Sequence, residues 1–379
     1  MPKLHILPPL HVEQKEENFI CAFTGKAVRF AEMMTNEGWE CVFYHNGDTD
    51  VTCCETVQLL THDEYWRERR KIEKDDNAYF SQPLLDYSSS LHNKSLSLLW
   101  NKANEHYEKG DIFCHTFGSG CERVREIEGS FHVETGIGYG FPWAPYRIYE
   151  TYAWMSYLSG RDSSYHPSNY NFVIPNYYRT EDWNRAEHEN YVLWGNRLQE
   201  DKGLWTLRDI AKEMSSTPFV VAGHGILPKE IRKLSNVFFV GPLSLEKRKE
   251  VWSKALCTLM PTQYFEPFGG FHVEGMMCGV PAVTSDFGCF SETVIPNVNG
   301  YRCKTIGDWV GAIELADSLD RDEIQRIAVS KYSMEAVGPQ YTAAFNQILE
   351  LNGEGWYSKK SHYLNTQLSE KTFLLDETP

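Results

Sequence analysis

The chain has 379 residues, a net charge of −15, 42% hydrophobic residues and 23% charged residues. That length favours two domains, and the balance excludes a collagen-like, coiled-coil or wholly disordered chain. The acidity argues against a nucleic-acid polymer as partner and against charge-driven docking on an anionic membrane, while leaving room for a small phosphate pocket.

In chain order, the first half alternates strands and helices. HILP is a short apolar strand. Residues 24–36 place Val28, Phe30, Ala31 and Met34 on one helical face. ECVFYH is the next strand, and the polar stretch of roughly 46–90 reads as a variable insertion. A helix is expected over 91–109, followed by strand 111–115, a Gly-rich turn, strand 130–134, a second Gly-rich turn, an aromatic helix over 146–158 and strand 171–175. Residues 176–190 are polar, lack an apolar period and serve as the linker. The second half repeats the pattern with apolar runs YVLWG, PFVVAG, NVFFVG, ALCTLMP and PAVTS. Such continuous runs mark a parallel sheet covered on both faces. The expected architecture is α/β, with two doubly wound, Rossmann-like domains facing across a cleft. The boundaries are 1–175, a donor domain over 191–335, and 336–379 as a helix crossing back to the first domain followed by a polar tail.

The N-terminus turns charged too soon for a signal peptide, and no apolar stretch is long enough to span a membrane. The ten cysteines are scattered without zinc-ligand spacing, in keeping with reduced thiols and a cytoplasmic location. Asp48-Thr49-Asp50 mimics a metal-binding pair but sits in a polar turn, and no metal site is assigned.

The most informative segment is 261–293, PTQYFEPFGGFHVEGMMCGVPAVTSDFGCFSET. Gly269 and Gly270 free backbone N–H groups just before an apolar helix, which makes an anion site. Glu266 precedes that loop, and Glu274 lies about one turn into the helix. Carboxylates bind vicinal hydroxyls through charge-assisted hydrogen bonds. The pair therefore suits a sugar and a ribose with a diphosphate between them; the alternative is two surface glutamates at a helix start. In YVLWGNRLQEDKG a buried strand ends at Gly195, and Arg197 and Lys202 follow on a loop. Strand ends are where open α/β sheets bind ligands, and two cations there suit a diphosphate; the alternative is a surface pair.

Together, Arg197, Lys202 and Glu266-x₇-Glu274 resemble the retaining GT-B glycosyltransferases of family 4 (glycosyl transferases group 1), which use nucleotide sugars. The family pattern of Gly-Arg…Lys-Gly and Glu-Gly-Phe-Gly…Glu-Ala reads here with an inserted Asn196, and with Pro267 in place of Gly. The resemblance is concentrated in residues 190–300. It implies transfer of a hexose from a UDP- or GDP-sugar to an acceptor hydroxyl on a glycan, glycoprotein or lipid, with retention and without a metal or other cofactor. Arg197 and Lys202 would hold the diphosphate and Glu266 the transferred sugar, these three being catalytic. Glu274 would bind the ribose; Phe268, Gly269, Gly270, Gly195, Gly223, Gly241 and Gly25 would complete the donor site. Glu134, Gly136, His115 and Lys26 are the candidates on the acceptor side or in the cleft. An inverting transferase or sugar-nucleotide epimerase on the same fold, a nicotinamide oxidoreductase, and a non-catalytic nucleotide-sugar-binding or scaffold subunit are the rival readings.

Overall fold

Short buried strands set the architecture. The computed structural model describes residues 2–18, 21–76, 84–161 and 168–359. The first sheet holds β1 (Leu4–Leu7), β2 (Cys41–Asn46), β3 (Glu55–Leu60), β4 (Ile112–His115), β5 (Phe131–Ile137), β6 (Tyr146–Tyr149) and β7 (Asn171–Val173) in the order β3-β2-β1-β4-β5-β6-β7. The second holds β8 (Val192–Gly195), β9 (Phe219–Ala222), β10 (Val237–Gly241), β11 (Cys257–Met260), β12 (Ala282–Ser285) and β13 (Gly300–Cys303) in the order β10-β9-β8-β11-β12-β13. The strand pairs in both sheets are parallel. Each order reverses direction once, between β1 and β4 and between β8 and β11. At such switch points the loops leaving the strands splay apart and open a crevice.

The stretch of roughly 46–90, expected as a variable insertion, is in part regular structure of the first domain. It contains β3, which pairs with β2, and the helix His62–Ile72. That helix starts at a capping box: Thr61 Oγ1 accepts from Glu64 N–H, and the Glu64 carboxylate accepts from Thr61 N–H. Residues 77–83 of that stretch lie outside the described residues, as do residues 360–379 of the expected tail. The aromatic helix placed over 146–158 is corrected. Its first four residues are β6, paired with β5 and β7, and the helix runs Tyr152–Arg161.

Residues 176–190 join the sheets but are not slack. Tyr177, Tyr178 and Trp183 are buried. Tyr178 N–H donates to Tyr332 O and its carbonyl accepts from Met334 N–H, at 2.8 and 3.0 Å. The chain turns at Ser333, whose side chain caps the helix Met334–Leu351. That helix packs on the first domain: Tyr341 and Phe345 bury against Phe30, and Trp39 Nε1 donates to Thr342 Oγ1 at 3.1 Å. The two domains also touch at the cleft rim. Thr151 Oγ1 donates to Pro267 O at 2.8 Å, and the Glu292 carboxylate accepts from the N–H groups of Tyr152 and Ala153. The latter is a carboxylate from one domain on the helix N-terminus of the other. No helix among the described residues is long and apolar enough to cross a membrane.

Candidate active site

The site is built at the ends of β8 and β11. Gly195 ends β8 because no side chain fits there: a Cβ would meet the Phe271 ring at 2.4 Å and Trp252 at 2.9 Å. The inserted Asn196 donates its N–H to Ala222 O at 3.2 Å and so carries the pairing with β9 one residue further. Arg197 follows on the exposed part of the loop. A short 3₁₀ turn, Glu200–Lys202, then brings Lys202 back inward. Lys202 Nζ donates to Glu266 Oε2 and to Tyr264 OH, both at 2.7 Å. Lys202 and Glu266 are 6% and 8% exposed, so this is a nearly buried ion pair at the mouth of the β11 loop.

That loop ends at Gly269, in the left-handed region at φ 74°, and the helix Gly270–Met277 begins. Glu274 lies on its less buried face, its side chain 17% exposed, with Arg248 Nη1 3.7 Å from its carboxylate. Burial pushes the Glu274 carboxyl above its usual range; Arg248 and then Arg29 pull it back. Arg29 comes from the first domain, on the helix Ala22–Asn36, where its guanidinium lies 5.7 Å from the Tyr178 ring centre.

These groups line a cavity of about 410 Å³ between the domains. Of the expected residues, it takes in Arg197, Lys202, Glu266, Phe268, Gly269, Gly270, Glu274, Gly195, Gly223 and Lys26. Lys26 donates to Gly136 O at 2.8 Å and pairs with the buried Glu150 carboxylate. Two helix N-termini, at Ala22 and Gly270, meet the cavity, and each offers partial positive charge. Asn176 Oδ1, Asn196 Nδ2 and Arg248 Nε are buried on lining residues with no hydrogen-bond partner among the described residues. Such atoms are normally satisfied, so these suit a polar guest.

Other expected residues lie off the cavity. Gly25 is inside the first helical turn, its N–H on Cys21 O at 3.2 Å. Gly241 sits one residue outside the lining, with its carbonyl on Gly223 N–H at 2.9 Å, while Pro242 and Leu243 reach in. His115 turns into the core, where Nε2 lies 3.1 Å from His132 Nδ1; burial holds its pKa well below the usual histidine range. Glu134 also turns inward and is fully buried. It accepts from the N–H groups of Trp143 and Ala144, both at 2.8 Å, and from Tyr139 OH at 3.0 Å.

Burial raises the Glu134 carboxyl to about 7 against those three donors. The sign follows from linkage: a raised acid is favoured protonated in the fold, so stability falls as pH rises from the ordinary carboxylate range through 7, then levels. Glu134→Gln removes that dependence. Its stability relative to the parent should rise by about 3 kcal/mol between pH 4.5 and pH 8, read by urea denaturation at the two ends. Parallel curves would refute it.

Arg29, Arg248 and Glu150 escaped the sequence reading. Arg29 lies on the helix Ala22–Asn36, Arg248 among the charges of the helix Leu245–Ser253 and Glu150 just after β6, and only the fold brings them to the same cavity. Outside the cleft, ligand-type atoms of Glu13, Asp48 and His62 lie within 4.8 Å of one another. The Glu13 carboxylate there accepts from Asp48 N–H and Trp66 Nε1.

Two parallel doubly wound domains about a cation-lined crevice are the GT-B fold, as in the glycosyltransferase structures that superpose on this chain. Residues 179–335 match the family model of the glycosyl transferases group 1. Among curated proteins, an uncharacterized glycosyltransferase of Methanocaldococcus jannaschii is 29% identical over 190 residues, 44% of this chain and 47% of that one. Glycogen synthase of Mycobacterium tuberculosis is 30% identical over 123 residues, 30% of each chain. The chain thus spans less than half the length of these relatives. Among solved structures, sucrose-phosphate synthase from Thermosynechococcus elongatus superposes with a TM-score of 0.65 at 16% identity, covering 92% of this chain and 99% of that one. Anabaena HepE in complex with UDP and glucose gives 0.65 at 13%, covering 91% and 99%.

Proposed function

We propose that the protein transfers a hexose from a UDP- or GDP-sugar to an acceptor hydroxyl, with retention and without a metal ion. The observation that carries this reading is the convergence of Arg197, the Lys202–Glu266 pair, Glu274 and the Gly270 helix start on one interdomain cavity. The HepE structure with UDP and glucose supports a nucleotide-sugar guest in this fold.

As the bond from the sugar carbon to the diphosphate oxygen breaks, negative charge grows on the phosphate. Lys202, held by Glu266 and Tyr264, and the N–H groups at Gly269 and Gly270 would meet that charge as pre-set donors that cost little reorganisation, and the exposed Arg197 would close on it from the loop. Lys202 also orients Glu266, whose other oxygen accepts from a sugar hydroxyl. Glu274 accepts from the ribose diol, with Arg248 and Arg29 favouring its ionised form. In a same-face displacement the acceptor oxygen bonds to the sugar carbon while its proton passes to the departing phosphate oxygen. No strong protein base is needed, in keeping with His115 facing the core.

The test is a thermal-shift screen with UDP-, GDP- and ADP-sugars. One nucleotide should stabilise the chain by about 2.7 kcal/mol at a hundredfold excess over its Kd. No stabilisation by any of them would refute the reading. NMR of the product's anomeric proton separates retention from inversion, and unchanged turnover in EDTA supports metal independence.

A further inference from the structure

The loop leaving β5 carries a strained feature that the donor site does not use. Its base is fixed from both sides by the buried Glu134 carboxylate, through Tyr139 on one arm and Trp143 and Ala144 on the other. Between these anchors the tip is pushed outward. Phe141 sits there in the left-handed region at φ 61° and is 83% exposed. A phenylalanine disfavours that conformation, and so exposed a ring offsets little of the strain by burial.

Arg161, at the end of the helix Tyr152–Arg161, holds the ring from the other side. Its guanidinium carbon lies 4.6 Å from the Phe141 ring centre and 5.8 Å from that of Tyr157. It rests on the backbone of Gly140, where a Cβ would come within 2.8 Å of Nη2. The row of rings continues across the cleft rim: Tyr157 stacks on Phe265 at 4.8 Å with planes 10° apart, and Phe287 follows at 6.3 Å. Phe265 immediately precedes Glu266, and Gly138, at the foot of the loop, lines the cavity.

We propose that Phe141, Arg161, Tyr157 and Phe287 form the acceptor subsite, a platform for a neutral pyranose chain laid across the rim so that one hydroxyl enters the cavity. This rests on the glycosyltransferase reading above. The apolar C–H faces of a pyranose pack on aromatic faces, while its hydroxyls need rigid donors and acceptors at the ring edges. Arg161 and Tyr157 OH supply those donors, and the cation–π contact fixes the guanidinium in place. Continuity with the cavity, through Gly138 and through Glu266 next to Phe265, argues for an acceptor here, since a chain laid on this rim reaches the cavity mouth directly. A bilayer fits poorly. Among the described residues the patch carries one cation and no amphipathic helix, in a chain of net charge −15.

The experiment uses the full chain and neutral hexasaccharides as probes (maltohexaose, cellohexaose, chitohexaose and mannohexaose) in calorimetric titrations, beside the nucleotide thermal shift. At least one hexasaccharide should bind. Phe141→Ala and Arg161→Ala should each weaken it by about tenfold or more, Phe141→Tyr should restore it, and the nucleotide shift should stay as in the parent. Failure of every hexasaccharide to bind overturns the proposal, as does binding that survives both alanine variants. So does capture by phosphatidylcholine–phosphatidylglycerol vesicles that Phe141→Ala abolishes. Loss of the nucleotide shift in the parent chain overturns the glycosyltransferase reading instead, so the two failures are distinct.

Discussion

Lys202→Ala should slow sugar transfer by about 10²–10³-fold, the loss measured when one fixed donor to a developing negative charge is removed. The same substitution strips the partner from Glu266, which is only 8% exposed. An uncompensated buried charge costs about 3–5 kcal/mol, so the single variant mixes a catalytic effect with a folding one. Lys202→Met with Glu266→Gln separates them. Both charges go together, the thermal midpoint should return close to the parent, and transfer should remain depressed. Single-turnover rates with saturating donor make the comparison. A well-folded double variant that transfers at the parent rate would remove Lys202 and Glu266 from the mechanism.

Gly203→Ala should be among the most destabilising single substitutions in the second domain, at about 4 kcal/mol, and it acts next to the same lysine. Two separate costs add. Gly203 has φ 82°, which a side-chain-bearing residue enters only with strain. A Cβ there would also lie 1.9 Å from Pro261 O, a backbone atom that moves only if β11 or its loop moves. Gly203→Asn tests the division. Asparagine tolerates the left-handed region but still carries the Cβ, so it should do little better than alanine. Gly241 is the control: φ is 74°, yet nothing lies within 4 Å of its virtual Cβ. Gly241→Asn should therefore cost less than about 1 kcal/mol. Urea denaturation of the three variants gives the ranking, and a mild Gly203→Asn would show that the β11 loop yields.

The contrast between legible and illegible parts has a physical basis. Apolar runs such as YVLWG and PFVVAG mark central parallel strands because both faces are covered, and β8 and β9 lie where those runs fall. β3 was missed because ETVQLL is an edge strand with several exposed side chains, so its pattern carries little apolar signal. YRIY was merged into a helix because a four-residue strand and the first turn of an aromatic helix look alike to periodicity. In the site, Arg197, Lys202, Glu266 and Glu274 were legible because they flank glycines within short segments. Arg248 was not: LEKRKEVWS reads as a charged surface helix, and only the approach of Glu274 gives one of its cations a different setting. Glu134 was read as facing the cleft because it stands near the exit of a strand. The left-handed Gly136 that follows and the returning loop instead fold its donors back over it.

The return of the helix Met334–Leu351 onto the first domain bears on the order of assembly. Phe30 reaches its partners Tyr341 and Phe345 only after more than three hundred residues of intervening chain have been made. During synthesis, domains generally fold as they emerge, and the six-stranded second sheet is complete by Cys303. The first sheet leaves the ribosome earlier but must wait, with the apolar side of its opening helix uncovered, for a segment translated afterwards. The half of the molecule that is born first is the half that matures last.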